Sequence, residues 1–255
     1  MMFKMSKLYK IRALIVVVFL AMSNLLSQNL YSQQWRPMNP CYCSNGYHYG
    51  ANCDYNNFSP ESVTMDYMGC TVLITLAVVY CENSSGDPYI YVEIQSVNYS
   101  AGGNCATLHL YLHPQGGNQP DAARVKQMYE DLYGMIFDDR FDAMKSQYYC
   151  PNTVNFEYFW PGSCSMACEL ILGDQAETHV FQLKSCQDFS CCSRSYSYCL
   201  NQNGTIWKQI INNNFPSACP VQTDPDFSKC PAVGTYFNGI IISGVNASYC
   251  QPYCE

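Results

Sequence analysis

Hydrophobic and polar positions change their period along this chain, and the changes divide it into elements. Residues 62–81, "SVTMDYMGCTVLITLAVVYC", are rich in Val, Ile, Thr and Tyr and predict a strand. "ENSSGDP" reads as a turn, and "YIYVEIQSVNY" (89–99) as the returning strand. Strict alternation there places Ile90, Val92, Ile94 and Ser96 on one face and Tyr91, Glu93, Gln95 and Val97 on the other. "ATLHLYLHP" (106–114) alternates with period two and is read as a further strand.

The period then becomes helical. In "PDAARVKQMYEDLYGMIFDDRFDAMKSQYY" (120–149), Val125, Met128, Leu132 and Ile136 recur at helix spacing, with Ala122 and Tyr129 widening the stripe. Pro120 and Asp121 suit a first turn, Asp138 or Asp139 is placed to cap a second short helix through Met144, and Cys150-Pro151 stops the run. Period two returns at 153–161, 177–186, 192–200 and 204–212. Asn203-Gly204 and Asn238-Gly239 predict two-residue hairpin loops, since both central residues of a type I′ turn need positive φ. With Asn203-Gly204 as the loop, the residue facing Cys199 falls near Lys208.

The expected fold is therefore α+β: mainly antiparallel β hairpins, one principal helical segment at about 120–147, and many disulfides. A soft boundary near residue 150 separates an N-terminal stapled β region with the helix (33–150) from a C-terminal Cys-rich β region (151–255). The two can form one continuous domain. The skeleton Tyr-Cys-x-Asn-x-x-Gly occurs at 80–86 and again at 198–204. Duplication of a stapled hairpin and independent use of the same turn chemistry both account for it.

Composition adds a compartment. Lys4, Lys7, Lys10 and Arg12 precede the apolar run "ALIVVVFLAM" (13–22), and Ser32 supplies a small residue before a polar start. This pattern predicts a secretory signal peptide over 1–32, with cleavage after Ser27 as the alternative. The apolar run falls short of the roughly 20 residues of a comfortable membrane span. The ending "YCQPYCE" lacks the hydrophobic tail of a GPI signal. The expectation is a secreted, periplasmic or extracellular protein without a membrane span after cleavage.

All 17 cysteines follow that segment: Cys41, Cys43, Cys53, Cys70, Cys81, Cys105, Cys150, Cys164, Cys168, Cys186, Cys191, Cys192, Cys199, Cys219, Cys230, Cys250 and Cys254. In an exported chain this density predicts a disulfide framework, and the odd count leaves one sulfur without an internal partner. Cys164/Cys168 and Cys250/Cys254 are i,i+4 pairs that could meet on a helix but not along a strand.

Four of the 13 basic residues lie in the signal segment, leaving 9 against 20 acids, a net charge of −11. Such a field repels phosphate backbones, so nucleic acid is excluded as a partner class.

Familiar chemistry is scarce. There is no H-E-x-x-H, G-x-S-x-G, Walker A or Cys-x-x-Cys pattern. His109 and His113 are four apart, half of a zinc motif on a helix. On the strand read for 106–114 they would stand about 13 Å apart, which speaks against a shared ion. No metal and no cofactor are expected on this reading. "CSRSYSYC" places Arg194, Tyr196 and Tyr198 on one strand face, the candidate ligand-binding row for a glycan or an extracellular protein. If Cys81 and Cys199 staple inward, the tyrosines before them face outward or into a second layer.

The functional expectation is an exported, disulfide-stapled scaffold with a surface, envelope or extracellular binding role. The alternative is a secreted glycoside-type hydrolase. It would require Glu157, Glu169, Asp174 or Glu177 to converge with another acid beside Trp160 or Trp207, about 5–9.5 Å apart.

Overall fold

The structure, a computed structural model, describes residues 58–82, 88–114, 116, 119–160, 164–173, 178–186, 192–214 and 225–252. The expected signal segment (1–32), Cys41, Cys43, Cys53, Cys191, Cys219, Cys254, Asp174 and Glu177 lie outside the described residues.

The fold is α+β: one mostly antiparallel sheet with two helices. β1 (Ser59–Tyr67), β2 (Cys70–Glu82) and β3 (Pro88–Ser100) form its stem. α1 (Ala106–Leu112) and α2 (Ala122–Met144) follow. Then come β4 (Val154–Trp160), β5 (Cys164–Leu172), β6 (Thr178–Ser185), β7 (Cys192–Leu200), β8 (Ile206–Asn214), β9 (Tyr236–Phe237), β10 (Ile240–Ala247) and β11 (Gln251–Pro252).

The run 62–81 is not one strand but the greater part of a hairpin. Met68 and Gly69 both have positive φ (55° and 77°), and Tyr67 pairs with Cys70 across them. Asn238 and Gly239 do the same (49° and 81°) between Phe237 and Ile240, as the sequence predicts. The loop after β7 differs from its prediction. Gly204 N–H donates to the Asn201 carbonyl, and Gly204 has positive φ while Asn203 does not. The loop is longer than two residues, and Cys199 faces Trp207.

The sheet forks at β3. β2 pairs along one side of it, and the other side is shared. Residues 89–92 pair with β4 in parallel, and residues 97–100 pair antiparallel with β6. One arm continues β4-β7-β8, the other β6-β5-β10-β9. At the fork Thr75 pairs with Ser96 but Leu76 pairs with Ile94, so Gln95 is an extra residue. This bulge corrects the simple alternation read for 89–99. Ile90, Val92 and Ile94, and beyond the bulge Val97 and Tyr99, all belong to the same buried core.

α2 covers that face. It is a single helix through Asp138 and Asp139, correcting the break expected there. Asp121 caps it by accepting from Ala123 N–H and Arg124 N–H at 3.0 and 3.1 Å. The predicted stripe is buried, as are Tyr133, Phe137 and Phe141. Tyr133 stacks on Tyr158 with ring centroids 4.2 Å apart. Its hydroxyl accepts from Ile94 N–H at 2.9 Å, in the stretch of β3 between the two arms. Tyr129 donates to the Phe181 carbonyl at 3.0 Å. One helix thus contacts both arms.

Disulfides fix the outlying pieces. Cys70–Cys105 ties β2 to the start of α1, and Cys150–Cys199 ties the chain after α2 to β7. Cys168–Cys230 and Cys186–Cys250 clamp the β5–β6 arm against the C-terminal segment. Cys81 and Cys164 are also disulfide-bonded.

Tyr133→Phe should destabilise the protein by about 1–3 kcal/mol, because it leaves the Ile94 N–H without its acceptor while keeping the ring. Urea unfolding of the two proteins under oxidising conditions measures this. Equal stability would mean that the fork does not depend on that hydroxyl.

Candidate functional site

The chemistry in this fold gathers where α1 lies over the β5–β6 arm. Residues 106–112 are helix, which corrects the strand reading of 106–114 and the separation of about 13 Å inferred from it. Leu108-x-Leu110-x-Leu112 satisfies period two, but the buried members are Leu108 and Leu112, an i,i+4 pair; Leu110 is 64% exposed. The Gly103–Cys105 helical turn and the Cys70–Cys105 bond start the helix, and Ala and Leu favour it. His109 and His113 consequently share a helix face, with ring centroids 4.4 Å apart.

Beneath them stands Glu169 of β5, with none of its surface exposed. The carboxylate has three side-chain partners. His113 Nε2 lies 3.0 Å from Oε2, His179 Nδ1 lies 2.7 Å from Oε1, and Asn246 Nδ2 donates to Oε2 at 2.8 Å. Strand register accounts for the β contribution: Glu169 faces Phe181 across β5–β6 and Asn246 across β10–β5, and His179 is two residues along β6.

His109 joins through Tyr99, whose hydroxyl is 3.1 Å from His109 Nδ1. The Tyr99 ring stacks on His179 at 5.4 Å and on Phe181 at 6.0 Å. His113 Nδ1 bonds back to the His109 carbonyl at 3.1 Å. That bond fixes the ring with Nε2 toward the carboxylate.

The electrostatics follow from burial and pairing. Burial alone would raise the Glu169 pKa, but hydrogen bonds from His113 and His179 outweigh it and hold the group at about 2. Burial works to lower His113, and the Glu169 hydrogen bond and charge raise it overall. Tyr99 is pushed far above the ordinary phenol range by burial and then by the Glu169 charge, so it acts here as a neutral hydroxyl. One ligand atom from each of His109, Glu169 and His179 lies within 4.8 Å of the others, a spacing suited to a shared cation. His179 Nε2 is buried and has no hydrogen-bond partner among the described residues.

The sequence-predicted row of Arg194, Tyr196 and Tyr198 does share one face of β7, and the layer it faces is α2. Tyr198 is fully buried and donates to Asp138 at 2.8 Å. Tyr196 packs on Phe137, and Arg194 lies 3.9 Å from Glu130. Lys208 sits 5.0–5.1 Å over both tyrosine rings.

The two described acids named for a hydrolase, Glu157 and Glu169, occupy separate surroundings. Glu157 lies on the sheet face away from α2, where loss of solvation raises its pKa against hydrogen bonds from Ser193, Tyr89, Ser195 and Tyr91. Near it on β3, half-buried Glu93 is pushed up to about 7, desolvation outweighing Gln95 and Lys184. Glu169 is on the opposite face. Trp207 is exposed on β8.

Sequence reasoning missed Tyr99, Asn246 and the convergence of three histidines. The spacing His109-x-x-x-His113 was the available signal, and it depended on which period was assigned to 106–114. Comparison with known proteins finds no matching family, curated protein or solved structure.

Glu169→Gln should cost about 3–5 kcal/mol near neutral pH, since it removes the buried charge and replaces one of the two oxygens that meet His113 and His179 with an amide donor. The pH dependence has a defined sign. The lowered Glu169 pKa stabilises the fold above about 4.5, and that contribution is lost as pH falls toward 2. The raised His113 pKa stabilises the fold below about 6.5, and that contribution is lost as pH rises through the folded value. In EDTA, the stability gap between wild type and Glu169→Gln should therefore shrink on acidification from pH 5 to about 2. A gap that stays constant would contradict the assigned pairing.

Proposed function

We propose that this chain is an exported, disulfide-stapled scaffold with an extracellular structural or binding role. One observation carries the reading. Every cysteine whose side chain is described is in a disulfide: Cys70, Cys81, Cys105, Cys150, Cys164, Cys168, Cys186, Cys199, Cys230 and Cys250. Four of these bonds close loops of 35 to 64 residues and join elements from the stem, both arms and the C-terminal segment. Bonds of this kind persist in oxidising compartments and not in a reducing cytosol.

The packing supports a protective use for them. The core beneath α2 is continuous and contains many fully buried aromatic and aliphatic side chains. Such a core does not need crosslinks merely to exist. Bonds at the loops and strand ends resist local opening, which is where proteases attack. No helix among the described residues is long and apolar enough to cross a membrane.

The end strands supply contact surface. On β8, Ile206, Trp207, Ile210 and Ile211 are 38–48% exposed, and Tyr236, Ile240 and Ile241 are 40–66% exposed on β9 and β10. Exposed apolar groups at a sheet's ends suit contact with an extracellular protein or a glycan. The partner class fits the acidic charge, which disfavours nucleic acid.

Differential thiol alkylation of the protein in fractionated producing cells tests the compartment. The expected result is protein outside the cytosol with its described cysteines blocked until reduction. Cytosolic protein with those cysteines freely alkylated would overturn the reading.

A further inference from the structure

We propose that His109, Glu169 and His179 form a binding site for a divalent transition-metal ion, and that zinc is the ion their donors fit best. The site goes beyond the scaffold role and stands on geometry independent of it. Its three donors come from α1, β5 and β6, and their ligand atoms lie within 4.8 Å of one another. Two imidazoles and one carboxylate are an established donor set for zinc. Calcium and magnesium take oxygen ligands, so two nitrogens select against them. Thiophilic ions would need thiolates, and no cysteine is a member of the group.

The second observation is the state of His179. The ring is 5% exposed, and its Nδ1 is committed to Glu169 at 2.7 Å. Against an ionised carboxylate, Nδ1 carries the proton. Nδ1 is also the only nitrogen of this ring able to share an ion with Glu169, because the Nε2 lone pair points to the far side of the ring; the ion takes the place of that proton between Nδ1 and the carboxylate.

The surroundings orient donors as ligand shells do. Asn246 and His113 both bond to Glu169 Oε2, and Tyr99 bonds to His109 Nδ1. Among the described residues no Lys or Arg bonds to Glu169, so no permanently charged side chain occupies the place of a cation. His109 is only half-buried and gives the ion a way in. Three protein ligands leave a position for water or an exogenous ligand.

Calorimetric titration of zinc into the untagged, disulfide-intact full chain, stripped with EDTA, tests this. The expected result is one saturable equivalent, accompanied by a rise in Tm. His109→Gln should weaken binding at least tenfold, and Tyr99→Phe by about 10–100-fold. Cobalt provides a second readout: wild type should develop visible absorption bands of nitrogen and oxygen ligation, and His109→Gln should lose them. His109 is half-buried, so its variant should fold even where a His179 variant does not. Absence of saturable uptake by wild type would overturn the proposal, as would a His109→Gln variant that binds like wild type. A Tm rise without cobalt bands would assign zinc to other residues and overturn it equally.

Discussion

A carboxylate with no exposed surface must be partnered, and Glu169 imposes that requirement on three other segments of this protein. Its oxygens are met from α1 by His113, from β6 by His179 and from β10 by Asn246. Each partner fixes an element. The short α1 is held down on the sheet, the β5–β6 register is locked, and β10 is kept beside β5. An apolar residue at position 169 would need none of these contacts and would not place three histidines together.

The frame that makes the meeting possible is the forked sheet. β3 gives one edge to two arms, and the extra residue Gln95 at the fork changes the parity of everything after it. Without that bulge Tyr99 would point away from α1 instead of toward His109 and His179. α2 then joins the arms through Tyr129 and Tyr133, and Cys70–Cys105 sets where α1 begins. Local backbone irregularity, helix packing and crosslinks therefore converge on one cluster.

Much of this was legible in the sequence. The helical stripe from Ala122 to Ile136, the strands on either side and the Asn238-Gly239 turn follow from period and turn stereochemistry. Met68-Gly69 was not legible, because methionine is an unusual occupant of a positive-φ position and the apolar run continues through it. The bulge was not legible because an extra residue leaves no mark on a strand whose both faces are buried. The site failed for a sharper reason. "ATLHLYLH" fits both periods, and a disulfide partner 35 residues away favours the helix. Glu169 and Asn246 become neighbours only through strand pairing, which single-chain spacing does not encode.

The central claim is that one buried carboxylate organises these histidines. Long-range proton–nitrogen NMR of the imidazole rings in metal-free protein tests it most directly, comparing wild type with Glu169→Asp. In wild type, His179 should show a protonated, strongly hydrogen-bonded Nδ1. His113 should show Nε2 in a hydrogen bond to a carboxylate. Shortening the side chain by one methylene should shift both rings together. Unperturbed signals from His113 and His179 in the variant would contradict the account.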